Sequence, residues 1–206
     1  MIIVDYSGIA VAAAFSQKQP DQLDQGVVRH MILNSLRLHN IKNRGEFGQM
    51  VVACDSSSWR KEIFPEYKAA RKKSRETSKL DWNKFFTMAN NVRDEIKENF
   101  SYPVVTVDRA EADDIIGILV LELQEFGRHE EILIVSGDKD FLQLQQFSNV
   151  KQYSPVQRKF LECEDPHRYL FEHICKGDSS DGVPNVLSPD NTFTNELRQT
   201  PLRAKR

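Results

Sequence analysis

The chain has 206 residues, enough for one good core or a core with a small appendage. Its composition, 40% hydrophobic and 28% charged, is ordinary for a soluble protein, and no apolar run approaches the roughly 20 residues that cross a bilayer, so a soluble chain with no membrane partner is expected. The net charge of −2 hides a separation: between Arg60 and Lys79 eight basic residues stand against three acids, so this stretch carries +5 and the remainder −7.

The N-terminus, Met1-Ile2-Ile3-Val4-Asp5, lacks the basic region of a secretory signal and reads as a strand ending in an acid. Residues Gln25–Leu38 repeat apolar positions at Val28, Ile32 and Leu36, the stripe of a half-buried helix. Gly45 is expected to punctuate the link to a second strand, Met50–Cys54. The basic segment follows, then a helix over Trp82–Ile96 with Phe85, Phe86, Ala89, Val92 and Ile96 expected on one buried face. A third strand, Val104–Val107, leads into a helix over Glu111–Phe126 that opens on acids, as suits a helix N-terminus, and that Gly127 is expected to end. A fourth strand covers Ile132–Val135. Strands alternating with helices predict an α/β domain with a mostly parallel central sheet flanked by helices. Residues 187–206, with two prolines and the basic residues Arg198, Arg203, Lys205 and Arg206, read as a loop-like basic tail.

Cys54, Cys163 and Cys175 are an odd number without Cys-x-x-Cys spacing, so neither a disulfide framework nor a zinc site is expected, and reduced thiols suit the cytoplasm. The five histidines show no ligand spacing and are expected to bind no metal.

Each predicted strand is followed at once by acid: Asp5, then Asp55, then Glu111, Asp113 and Asp114, then Asp138 and Asp140. In an open parallel sheet the carboxyl ends of the strands share one edge, so seven carboxylates remote in sequence would meet in one cleft. Helix capping accounts for any one of these aspartates, but not for all four strand ends together. Asp178 and Asp181, in Gly177-Asp178-Ser179-Ser180-Asp181-Gly182, can complete a second position, three residues being a spacing that turns both carboxylates one way. So many acids repel one another unless cations neutralise them, and hard oxygen donors favour Mg2+ or Mn2+. Two such ions suit in-line hydrolysis of a phosphodiester, and no nucleophile elbow, P-loop or Gly-x-Gly-x-x-Gly suggests other chemistry.

Three segments, Arg109–Ile116, Ser136–Phe141 and Gly177–Pro184, resemble in order and spacing the signatures of the flap endonuclease, or 5′-nuclease, superfamily. Trp59-Arg60, Tyr67-Lys68 and Val150–Pro155 are similar to its phage ribonuclease H branch, and the resemblance covers residues 1 to about 186. It implies a PIN-like 5′-nuclease fold over 1–186, with a basic helical arch inserted at 56–80 that clamps a single strand. It also implies a metal-dependent 5′-3′ exonuclease or flap endonuclease acting on branched, nicked or flapped duplex and RNA–DNA hybrids. Such an enzyme removes primers and flaps in phage-type replication, in the host cytoplasm, alongside a single-strand-binding protein or sliding clamp.

By this resemblance Asp5, Asp55, Asp113 and Asp138 surround a first Mg2+, while Glu111, Asp140, Asp178 and Asp181 shape a second. Asp114 suits either the water network of the ions or the helix N-terminus, and Mn2+ can substitute for Mg2+. Arg60 and Lys68 match positions that contact the scissile phosphate. Lys61, Tyr67, Arg71, Lys72, Lys73 and Arg75 are the expected nucleic-acid contacts, with Trp59, Phe64 and Tyr67 either stacking on bases or packing the arch. The family usually continues into a helical duplex-binding region, which is expected to be truncated or absent here. The alternatives are the 5′-nuclease portion of a DNA polymerase I and a branched-DNA-binding module without turnover.

Overall fold

The computed structural model describes residues 1–17, 23–125 and 130–202. The four expected strands are present as β1 (Ile2–Asp5), β2 (Met50–Cys54), β3 (Val104–Thr106) and β4 (Ile132–Val135), all parallel. Two further strands were not expected: β5 (Val150–Ser154), parallel to β4, and β6 (Lys159–Leu161), which returns antiparallel to β5. The resulting order is β3-β2-β1-β4-β5-β6. Ile2, Ile3, Val4 and all of β4 are fully buried, as central parallel strands covered on both faces must be. Each such side chain contributes about 1.5–3 kcal/mol by leaving water.

Helices cover both faces. On one side α1 (Tyr6–Phe15), α2 (Gln25–Phe47) and α5 (Trp82–Asn99) pack against Ile2, Val4, Met50, Val52, Leu133 and Val135. On the other, α6 (Ala112–Glu125) and a 3-10 helix (Lys139–Gln146) meet Ile3, Ala53, Ile132 and Ile134. Successive strand residues thus feed opposite cores, the period-two rule of a strand. Between β2 and α5 lie two short helices, α3 (Arg60–Ile63) and α4 (Ala70–Glu76), and α7 (Pro166–Lys176) follows β6.

Helix starts follow local chemistry. Asp24 and Asp81 cap α2 and α5 by accepting from the Val27 and Lys84 amides at 2.9 and 3.0 Å, and Asp165 followed by Pro166 opens α7. The link before β2 differs from expectation: α2 runs through Gly45 to Phe47, and Gly48, at φ +77°, ends it. A positive φ is what a helix stop requires, and Gly45 has no such conformation. The expected stop at Gly127 lies outside the described residues, as do Arg203, Lys205 and Arg206 of the tail.

Residues 187–202 hold neither helix nor strand, yet Thr192 is buried among them, as is Asn185 just before them. The Asn185 amide donates to Gln199 Oε1 at 2.7 Å and its side chain to the Thr200 carbonyl at 2.8 Å.

Candidate metal and nucleic-acid site

The chain runs outward from β1 to β3, then returns through α6 to β4 on the other side of β1. The order reverses between β1 and β4, and ligands bind at the carboxyl ends of the strands at such a reversal. Asp5 sits at that point. Its Oδ1 accepts from the Gly8 amide at 3.1 Å and its Oδ2 from Ser136 Oγ, at the end of β4, at 2.8 Å. A Cβ on Gly8 would stand 2.8 Å from Asp5 Oδ2, so glycine there gives the carboxylate its room. Asp55, beyond β2, accepts from Ser7 Oγ at 2.5 Å and from the Ala112 amide at 2.7 Å, which ties the start of α6 to this edge. Asp138 caps the 3-10 helix through the Asp140 amide at 2.9 Å. The loop that carries it is held from below by Gln152, whose Nε2 donates to the carbonyls of Ser136 and Asp138 at 3.0 and 2.5 Å.

Asp5, Asp55, Glu111, Asp113 and Asp138 line one cleft of about 870 Å³ together with the basic residues Lys61, Lys68, Arg71, Lys72 and Arg75. Burial pushes the Asp5 carboxyl up to about 6, with repulsion from Asp55 and Asp138 adding to it. Asp113 is pushed up to about 7 by burial, then by Asp138 and Asp5. Asp140 is also raised, by burial and then by Asp138, and lies in a second group with Asp178 and His173. Asp181 faces Arg71 at 2.6 Å and Lys68 at 3.6 Å.

Of the seven acids foreseen at this edge, Asp114 and Asp140 do not line the cleft, and Glu111, which does, is engaged by the inserted segment. Glu111 is nearly buried and accepts from Tyr67 Oη and Lys68 Nζ, each at 2.7 Å, and from Ser58 Oγ and Arg60 at 3.1 Å. Burial raises its pKa, but these donors outweigh it and hold the carboxyl below its ordinary range. Asp114 grips the Arg60 guanidinium through two bonds of 2.9 and 2.8 Å and accepts from the Glu111 amide at 2.9 Å, closing the start of α6. Against the upward push of burial, Arg60 leaves Asp114 depressed as well. Both acids are committed to cations of the inserted segment.

That segment is less regular than a helical arch over 56–80. Its two short helices are joined by turns around Lys68, which adopts φ +57° and donates its amide to the Asp181 carbonyl at 2.7 Å. Tyr67, expected to touch nucleic acid, is buried beneath Arg60 and Lys68 with its hydroxyl spent on Glu111, so it packs and does not offer a stacking face. Arg60 and Lys68, expected on the scissile phosphate, face carboxylates at the base of the segment. Arg71, Lys72, Lys73 and Arg75 are exposed. Lys73 pairs with Glu196 and Arg75 lies over Trp82 and Phe86 at 5.1 and 5.0 Å, while Lys61 and Lys72 form no ion pair among the described residues. Sequence reasoning missed Ser7, Gly8 and His173, which carry no spacing signal of their own, and gave no role to Ser136 and Gln152, although both lie in segments that carry the resemblance.

The 5′-3′ exonuclease N-terminal, resolvase-like domain model matches residues 1–169. Ribonuclease H of Enterobacteria phage T4 is 35% identical over 209 residues, covering 97% of this chain and 68% of that protein. DNA polymerase I of Bacillus caldotenax is 25% identical over 214 residues, and the chain spans 97% of its own length but 23% of the polymerase's. The flap endonuclease D15 of bacteriophage T5, solved with DNA and metal ions, shares the fold at a TM-score of 0.69 and 17% identity, over all of this chain and 80% of that one. With the matched model spanning most of its length, the chain belongs to the family of 5′-3′ exonuclease N-terminal, resolvase-like domains.

Proposed function

We propose that the chain is a divalent-metal-dependent 5′ nuclease that hydrolyses phosphodiesters at flaps, nicks and RNA–DNA junctions, removing primers and flaps in phage-type DNA replication. The observation that carries the reading is the convergence of Asp5, Asp55, Asp113 and Asp138 in one cleft lined also by basic residues. The domain spans 1–186 in this reading, with the basic segment 56–80 inserted in it, and it works in the host cytoplasm.

The donor set fits hard cations. It is all oxygen, and the raised carboxyls of Asp5 and Asp113 mark acids that a cation would relieve. Asp5, Asp55, Asp113 and Asp138 would hold a first Mg2+; Asp140, Asp178 and Asp181 would hold a second, with Glu111 and Asp114 acting on both through the arch. Bound divalent ions supply activation of water and charge stabilisation of the leaving oxygen. The chain's own residues do the rest. Lys61, Lys72 and Arg75 attract the phosphates of a strand entering the cleft. Lys68, in the same cleft, and Arg60, held beside it on Glu111, would exchange a carboxylate partner for the reacting phosphate and stabilise its growing charge.

Cleavage of labelled 5′-flap DNA and of RNA-primed DNA, with Mg2+ and with chelator, tests this. Cleavage should require the ion, and Asp138→Asn and Asp140→Asn should each lower it at least about a hundredfold while leaving substrate binding intact. Unaltered cleavage by both variants would refute the assignment; tight binding without any turnover would favour a junction-binding module.

A further inference from the structure

His173 lies outside the expected ligand set. It projects from α7 toward two carboxylates on different elements, with Nε2 3.2 Å from Asp140 Oδ1 and 3.9 Å from Asp178 Oδ2. One donor atom from each of the three lies within 4.8 Å of the others. The trio stands at an open cavity of about 480 Å³, shared with Asp138 and Ser180. Bonds of about 2.1 Å put adjacent donors of an octahedral ion about 3 Å apart and opposite ones about 4.2 Å. The 3.2 Å separation is close to that of adjacent donors, and the 3.9 Å one is nearer that of opposite donors.

The ring is also set in place. Tyr169, one turn earlier on α7, stacks on it at 5.8 Å and 9°, which aims one nitrogen at the acids. The chain then reverses at Gly177, whose φ is +68° and whose added Cβ would stand 2.4 Å from the Val183 carbonyl oxygen. Only glycine allows that turn, and it brings Asp178 back beside His173.

We propose that His173 is a nitrogen ligand of the second divalent cation, forming with Asp140 and Asp178 a mixed nitrogen–oxygen site that favours Mn2+ over Mg2+. The proposal rests on the metal-dependent reading above. Imidazole is a borderline donor that suits transition ions, whereas Mg2+ is held by oxygen and keeps much of its water. The site is thus softer than the all-carboxylate cluster beside it, and the two positions would differ in ion preference.

Pulsed EPR of the full chain loaded with Mn2+ reads directly bound nitrogen as a 14N modulation. Wild type should show it, Tyr169→Phe should keep it and His173→Gln should lose it. Titration calorimetry should show one Mn2+ step of His173→Gln weakened at least about tenfold, with the Mg2+ steps changed much less. Circular dichroism of the metal-free variant should match wild type, so that a fold defect is not mistaken for a lost ligand. Two Mn2+ ions bound with no 14N signal in wild type, or a signal that survives in His173→Gln, would overturn the proposal and leave His173 a polar neighbour of Asp140 and Asp178 and no more. Failure of Mn2+ to bind at all would overturn the metal-dependent reading, and this site with it.

Discussion

Glu111 accepts hydrogen bonds from four side chains of the inserted segment, and Lys68 supplies the nearer of the two positive charges among them. In the proposed function Lys68 therefore has two tasks, holding the base of the arch and meeting the reacting phosphate, whereas Lys72, which lines the same cleft, would meet only phosphates of the entering strand. Lys68→Ala should accordingly slow cleavage more than it weakens binding, by roughly the hundredfold of a lost transition-state donor. Lys72→Ala should chiefly weaken affinity and reduce the slope of log affinity against log salt by about 0.7–0.9, the loss of one phosphate contact. Equal behaviour of the two variants in single-turnover rates and salt titrations would mean a diffuse basic surface. Gln152 makes a related point at β5. Its amide is buried and holds two carbonyls of the loop that carries Asp138. Gln152→Leu leaves both acceptors unpaired, so stability should fall by about 1–3 kcal/mol in chemical denaturation, with cleavage falling further than binding. An unchanged midpoint and rate would show that the loop stands without it.

At the scale of elements, β1, β2 and β4 were legible because central strands buried on both faces must be continuous apolar runs, β3 by its β-branched run, and the acids that follow all four mark the carboxyl edge. The β5–β6 pair was not. Val150-Lys151-Gln152-Tyr153-Ser154 alternates buried and exposed positions and holds a polar residue in the core, so no apolar run announces it. The short Ala-rich α1 likewise has too little polar contrast to show a face. Which acids would answer to arch cations was also hidden, since that depends on how residues 56–80 fold back. The fold-back leans on Gly182. Its φ is +77°, and an added Cβ would stand 2.8 Å from the Glu66 carbonyl oxygen, beside the Lys68 amide that binds Asp181. Gly182→Ala should cost about 1–3 kcal/mol and lift the Glu66–Lys68 turn off the Asp178–Asp181 loop. Hydrogen exchange at the Lys68 amide would rise in the variant; protection equal to wild type would show that the two segments are not joined there.

The whole molecule carries its acids in two electrostatic regimes, and the metal-free protein should reveal both through pH. Asp5 and Asp113 have folded-state values raised to about 6 and about 7, so between the ordinary carboxylate range and neutrality the folded chain binds more protons than the unfolded one. Stability from this pair is present at low pH and is lost as pH rises through those values. Glu111, Asp114 and Asp178 are depressed, so their contribution is present at neutrality and is lost only as pH falls below the ordinary range. The two regimes therefore occupy separate windows. In chelator, the melting temperature should decline from pH 5 to pH 8, reflecting a loss of a few kcal/mol, since a tenfold change in the acidity of one carboxyl is worth about 1.4 kcal/mol. Millimolar Mg2+ or Mn2+ should flatten that decline, because a ligand that binds only the folded state stabilises it and removes the repulsion that raised both groups. Asp113→Asn should do the same without metal, melting above wild type at pH 8 and close to it at pH 5. A metal-free melting curve indifferent to pH over this window, or an Asp113→Asn variant no more stable at pH 8, would mean that the acids at the carboxyl edge of the sheet do not crowd one another as the geometry requires.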